Sequence, residues 1–137
     1  MGKPEDGEGK IMDDESQNQE AFFEECKSKL MVMRQERLNA IGKLGEALVD
    51  KVEGDEGDMA QVLQNQHMSL TQKEKVLREL REIDEALERL EDGSYGICEE
   101  TEEEIEWERL RAIPWTRLSL EGAEIREKSS KKYARHG

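Results

Sequence analysis

The chain is predicted to be mainly α: a long antiparallel coiled-coil hairpin, then a small C-terminal module and a last helix. Three observations carry this. Of 137 residues, 40% are charged, 34% apolar and 4% aromatic, whereas a compact globule of this length is ~45–50% apolar. A deep single core is not expected, and long exposed helices suit the composition. Along two long stretches the apolar residues recur at alternating steps of three and four, the period of a coiled-coil seam. The two stripes mirror each other about residue 55, where two glycines interrupt a run of acids.

Residues 1–16 hold three glycines, one proline and many acids, with no apolar period. They read as a disordered leader. The first arm covers residues 17–51, with the stripe Phe23, Cys26, Leu30, Met33, Ile41, Leu44 and Leu48, interrupted by Arg37. Gly54 and Gly57 mark the turn. Asp58 is placed to cap the next helix, because its carboxylate can accept from free N–H groups of the first turn.

The second arm covers residues 59–91. Its stripe is Val62, Val76, Leu80, Ile83, Leu87 and Leu90, with a polar stretch near 64–69. Leu63, Leu70 and Leu77 add a neighbouring heptad row. Pairing Leu48 with Val62, Leu30 with Leu80 and Phe23 with Leu87 gives residue numbers that total 110 each time. Arms of this length reach roughly 50 Å at 1.5 Å per residue.

Gly93 suits the left-handed position after a helix. Residues 97–120 form a compact, Glu-rich segment holding Trp107 and Trp115. A short helix over 103–112 stops before Pro114, since the residue before proline disfavours helical geometry. A last helix starts at 120 or 121 and runs to 134. The chain thus divides into a leader (1–16), a hairpin (17–92, tip near 54–58) and a module with its helix (93–137).

The net charge of −13 argues against direct DNA binding, which needs a basic stripe. Only Arg126, Lys128, Lys131, Lys132 and Arg135 make a basic run, which reads as a solvated helix end. No apolar run is long enough to span a bilayer, and no signal sequence is present. Cys26 and Cys98 make no disulfide framework, so a cytoplasmic protein with reduced thiols is expected. His67 and His136 read as solvated. No nucleophile–base set, phosphate loop or two-histidine metal site appears, so no catalytic residue is expected.

The stretch from Leu87 to Glu100, LERLEDGSYGICEE, resembles the entry into the zinc-finger region of the DksA/TraR family of bacterial RNA polymerase-binding regulators. The resemblance continues through Arg109-Leu110-Arg111-Ala112-Ile113-Pro114, Leu118-Ser119-Leu120-Glu121-Gly122 and Ala123-Glu124-Ile125-Arg126-Glu127-Lys128. It implies a coiled-coil hairpin joined to a zinc-finger-like module. The family's ligand spacing is Cys-x2-Cys-x17-Cys-x2-Cys. Here only Cys98 is a cysteine, and the other positions fall at Thr101, Ser119 and Gly122. The glycine that follows the second ligand is replaced by Glu102. Structural zinc needs four good ligands in a closed tetrahedron, so no metal and no other cofactor is expected. Apolar packing of Ile97, Ile105, Trp107, Leu110, Ile113, Trp115, Leu118 and Leu120 is expected to replace it, at ~1.5–3 kcal/mol per large side chain fully buried.

Asp55-Glu56-Gly57-Asp58-Met59-Ala60 matches the family's Asp-x-x-Asp-x-Ala tip. The resemblance implies that Asp55, Asp58 and Ala60 enter the secondary channel of the polymerase and act by contact. A simple helix cap is the plainer reading of Asp58, and the two roles can coexist. Family positions that help bind the alarmone ppGpp hold Glu79, Glu82, Ile113 and Ala123, so ppGpp is expected to act weakly if at all. Arg109 and Lys75 are further candidate polymerase contacts. The glutamates between 99 and 108 read as a solvated face. The expected function is therefore a monomeric, non-catalytic transcription regulator that binds RNA polymerase, with neither DNA nor membrane contact. The alternative is a coiled-coil adaptor without polymerase activity.

Overall fold

A computed structural model of the chain describes residues 3–54 and 59–136, with side chains over 17–46 and 59–131. The described residues form four helices: α1 (Lys3–Gly54), α2 (Met59–Asp92), α3 (Trp107–Ala112) and α4 (Leu120–His136). They contain no strand, only an isolated antiparallel bridge between Ile97 and Glu104. α1 begins at Lys3, so residues 3–16, expected as a disordered leader, continue the helix. Pro4 falls in the first turn, where its missing N–H has no partner to lose.

α1 and α2 pack as an antiparallel hairpin. Arg34 Nε meets Asp84 Oδ1 at 2.7 Å and Arg37 Nε meets Glu79 Oε2 at 2.6 Å. These pairs have numbers totalling 118 and 116, not 110. The helix ends that flank the tip, Gly54 and Met59, total 113, so the hairpin is centred a little beyond residue 55, and the arginine side chains reach past the positions directly opposite them.

The core sits at the base of the hairpin. Phe22, Cys26 and Leu30 from α1 meet Ile83 and Ala86 from α2, and Tyr95, Cys98, Ile105 and Leu110 from the module close over them. Phe22, not Phe23, is the buried aromatic of the pair. It stacks on Trp107 with ring centres 4.5 Å apart, while Phe23 meets Tyr95 edge-on at 5.0 Å. The stripe marks only the side that faces α2; the module offers a second surface that covers Phe22. Farther from the base, Met33, Ile41, Leu44 and Leu80 stay half-buried. Two helices without a third layer leave the flanks of such side chains open to water. The side chain of Leu48 lies outside the described residues.

Gly93 ends α2 as expected, with φ +84°. The carbonyl of Arg89 accepts from the N–H groups of Gly93, Ser94 and Tyr95 at 3.0, 3.0 and 3.1 Å. α3 starts at Trp107, later than the expected 103. The preceding residues are held in a turn instead: Glu102 N–H donates to the Cys98 carbonyl at 2.9 Å and Cys98 N–H to that of Glu103 at 2.8 Å. α3 stops before Pro114 as expected, and α4 starts at Leu120.

Candidate functional site

The four zinc-ligand positions do converge. Cys98 has no exposed surface. Its sulfur accepts from Thr101 N–H at 3.5 Å and from the Ser119 hydroxyl at 3.4 Å. Ser119 Oγ in turn accepts from Gly122 N–H at 3.0 Å. That last bond is an N-cap: the side chain before the helix satisfies the third N–H of α4. Ser119 therefore caps α4 and binds the Cys98 sulfur with one hydroxyl. Burial pushes the Cys98 thiol up, but hydrogen bonds from Ser119 and Thr101 outweigh it and hold the thiol down to about 6.

The donor set does not fit structural zinc. It offers one thiol, two neutral hydroxyls and a glycine, where a closed tetrahedron needs four ligands. Among the described residues no group of three or more His, Cys, Asp and Glu side chains could hold a metal ion. The space at the fourth position is closed too, because a Cβ built on Gly122 would collide with the Cys98 sulfur.

Apolar packing and ion pairs surround this cluster. Ile105 and Leu110 are buried, and Trp115 and Leu118 pack against the core. Two of the residues expected to join them do not, Ile97 being 42% and Leu120 55% exposed, while Trp107, though 37% exposed, stacks on the buried ring of Phe22. Instead, Tyr95 is buried and donates its hydroxyl to the Pro114 carbonyl at 2.8 Å. Arg89 Nη2 donates to the carbonyls of Trp115 and Thr116 at 3.1 and 3.4 Å. Arg109 is held inside the module, donating to the Leu118 carbonyl at 2.8 Å. Glu106 accepts from Leu120 N–H at 3.2 Å, so one member of the expected solvated face covers the start of α4.

Arg117 joins the module to the hairpin. It pairs with Glu82 at 3.1 Å, with Glu85, and with Glu99 at 3.0 Å. Arg126 of α4 meets Glu100 at 3.0 Å and Glu99 at 3.4 Å. Glu79 and Glu82 thus each have an arginine partner inside the fold. Sequence reasoning missed Phe22, Tyr95, Arg89 and Arg117. For Ser119 the cap was legible, as a serine three residues ahead of the α4 N–H it binds.

The tip lies between the two long helices, after Gly54 and before Met59. Asp55 and Asp58 fall outside the described residues. Ala60 is exposed in the first turn of α2. The hairpin thus carries the motif at one end and the Cys98 module at the other.

A family profile for the prokaryotic dksA/traR C4-type zinc finger matches residues 93–128. The RNA polymerase-binding transcription factor DksA of Caulobacter vibrioides is 34% identical over 108 residues, covering 77% of this chain and 76% of that protein. The chain belongs to the DksA/TraR family. An uncharacterised protein of Aquifex aeolicus is 38% identical over 119 residues, covering 82% of this chain and 81% of its own length. The solved structure of transcription factor DksA2 from Pseudomonas aeruginosa superposes with a TM-score of 0.76 at 35% identity, covering 82% of this chain and 88% of that one. The DksA/TraR hairpin-and-module architecture is therefore shared well beyond the matched zinc-finger segment. Among the described residues no helix is long and apolar enough to cross a membrane.

Proposed function

We propose that this chain binds RNA polymerase directly and modulates initiation by inserting the tip of its hairpin into the secondary channel. The supporting observation is the placement of the Asp-x-x-Asp-x-Ala motif between two antiparallel helices, with α2 spanning ~50 Å from there to the module. Asp55, Asp58 and Ala60 act by contact, and the chain carries no catalysis of its own. It works in the cytoplasm as a monomer, without DNA contact. The module holds its shape without zinc, through the Cys98–Ser119 cluster and the core at the hairpin base. ppGpp adds little, because Glu79 and Glu82 stand where a polyphosphate would need cations.

In-vitro transcription from a ribosomal RNA promoter tests this, with cognate polymerase and no added zinc. Wild type is compared with Asp58→Asn. Wild type changes transcript output, and the variant binds polymerase but fails to act. If neither protein binds polymerase or alters output, the adaptor reading replaces this one.

A further inference from the structure

The seam of α2 changes character on its way to the tip. Steps of three and four from Val62 pass through Gln66, Ser69 and Lys73 before they reach Val76, Leu80, Ile83, Leu87 and Leu90. Three successive seam positions are therefore polar. Gln66, Ser69 and Lys73 are half-buried, and no residue of α2 between Val62 and Val76 is buried. On α1, none of residues 31–46 is buried either. Residue numbers total 114 for Lys73 and Ile41 and 113 for Ser69 and Leu44, against 113 for the helix ends, so these pairs stand opposite each other. Apolar side chains on one arm thus face polar ones on the other, and pairing the arms here removes little apolar surface from water. The cross-helix ion pairs Arg34–Asp84 and Arg37–Glu79 lie on the base side of this stretch.

Both backbones weaken at the same level. α1 carries Gly42 and Gly45 in its interior, where glycine costs helix stability because it has the most freedom to lose. A Cβ added at either would meet nothing within 4 Å, so close packing does not require these glycines. On α2, the Thr71 hydroxyl donates to the His67 carbonyl at 2.9 Å. A bond of this kind, back to the carbonyl four residues earlier, competes with the helix ladder and favours bending. Thr71 totals 113 with Gly42 and 116 with Gly45, the same totals as the helix ends and the Arg37–Glu79 pair. The weak points of the two arms therefore lie side by side.

We propose that the hairpin has a joint here, at Gly42–Gly45 and Gln66–Lys73, about which the tip arm opens and swings while the base stays folded. The base is held by Cys26, Leu30, Ile83 and Ala86 under the module, so its opening needs the core to break. The joint gives the tip a range of angles relative to the module. It belongs to the free chain and does not depend on polymerase binding.

Native-state hydrogen exchange on the full chain, followed by mass spectrometry, tests this. Wild type is compared with Gly42→Ala/Gly45→Ala and with Gln66→Leu/Lys73→Leu, which extends the apolar seam. In wild type, amides of 38–46 and 63–73 exchange roughly tenfold or more faster than those of 23–34 and 80–90, after correction for intrinsic rates. Each double variant slows the distal amides about tenfold and leaves the base amides within about twofold of wild type. Equal protection of the base and the distal arm in wild type overturns the joint. So does an equal slowing of both halves in the variants, because a single cooperative unit gains stability everywhere at once. Distal amides unmoved by both variants overturn the placement of a joint at these residues.

Discussion

The Ser119 hydroxyl lies 3.4 Å from the Cys98 sulfur and also accepts the Gly122 N–H at 3.0 Å. One oxygen thus ties the knuckle after α2 to the first turn of α4. Both groups it serves are buried, so its removal leaves an uncapped N–H and an under-bonded sulfur. Ser119→Ala is expected to cost about 1–2 kcal/mol in urea unfolding, with Ser119→Thr close to wild type. A strong zinc chelator leaves the melting temperature unchanged. A large drop on chelation points to a bound metal and removes the zinc-free account.

Glu102 occupies the left-handed region, with φ +62°, at the position where the family's knuckle has glycine. A residue with a Cβ loses about 1–2 kcal/mol there, while glycine's greater freedom when unfolded takes back part of the gain. Glu102→Gly is expected to raise the melting temperature by about 2–4 °C. Glu102→Ala separates backbone from charge, because it retains the Cβ. If Ala stabilises as much as Gly, the left-handed backbone is not the cause.

Arg117 stands among three carboxylates, Glu82, Glu85 and Glu99. An isolated surface pair contributes little, but a shared cation in a network holds the carboxylates together against their mutual repulsion. Arg117→Ala is expected to destabilise the protein by about 1 kcal/mol at low salt. Much of that loss returns in 1 M salt, where the screening length falls to about 3 Å. A loss independent of salt would assign Arg117 a packing role instead.

Cys26 and Tyr95 meet in the core, and both titrate above their ordinary values. Burial pushes the Cys26 thiol up from 9.0, and burial together with the contact to Cys26 pushes the Tyr95 phenol up from 10.0. Above about pH 9 the unfolded chain loses protons that the folded chain keeps. Stability from these groups is therefore complete below pH 9 and declines as pH rises. Urea midpoints between pH 9.5 and 11 check this, above the range in which the Cys98 thiol, held down to about 6, adds stability as pH rises. Cys26→Ala should flatten the first part of the decline, and a midpoint that rises with pH contradicts the sign.

The sequence by itself determined the helical class, the two arms, the turn near 54–58 and the end of α2 at Gly93. Each rests on local physics: an apolar period, a glycine at positive φ, a proline that stops a helix. It also determined that three of four zinc-ligand positions lack a thiol. Tertiary structure decided what local pattern cannot encode. The centre of the hairpin moved from residue 55 to between Gly54 and Met59, and the cross-helix ion pairs Arg34–Asp84 and Arg37–Glu79 formed only once the arms had paired. Phe22 replaced Phe23 in the core because Trp107, 85 positions away, stacks on it. Ser119 became a cap and a sulfur ligand together because α4 starts beside Cys98. These are contacts between residues distant in the chain, and they exist only once the module has closed on the hairpin base.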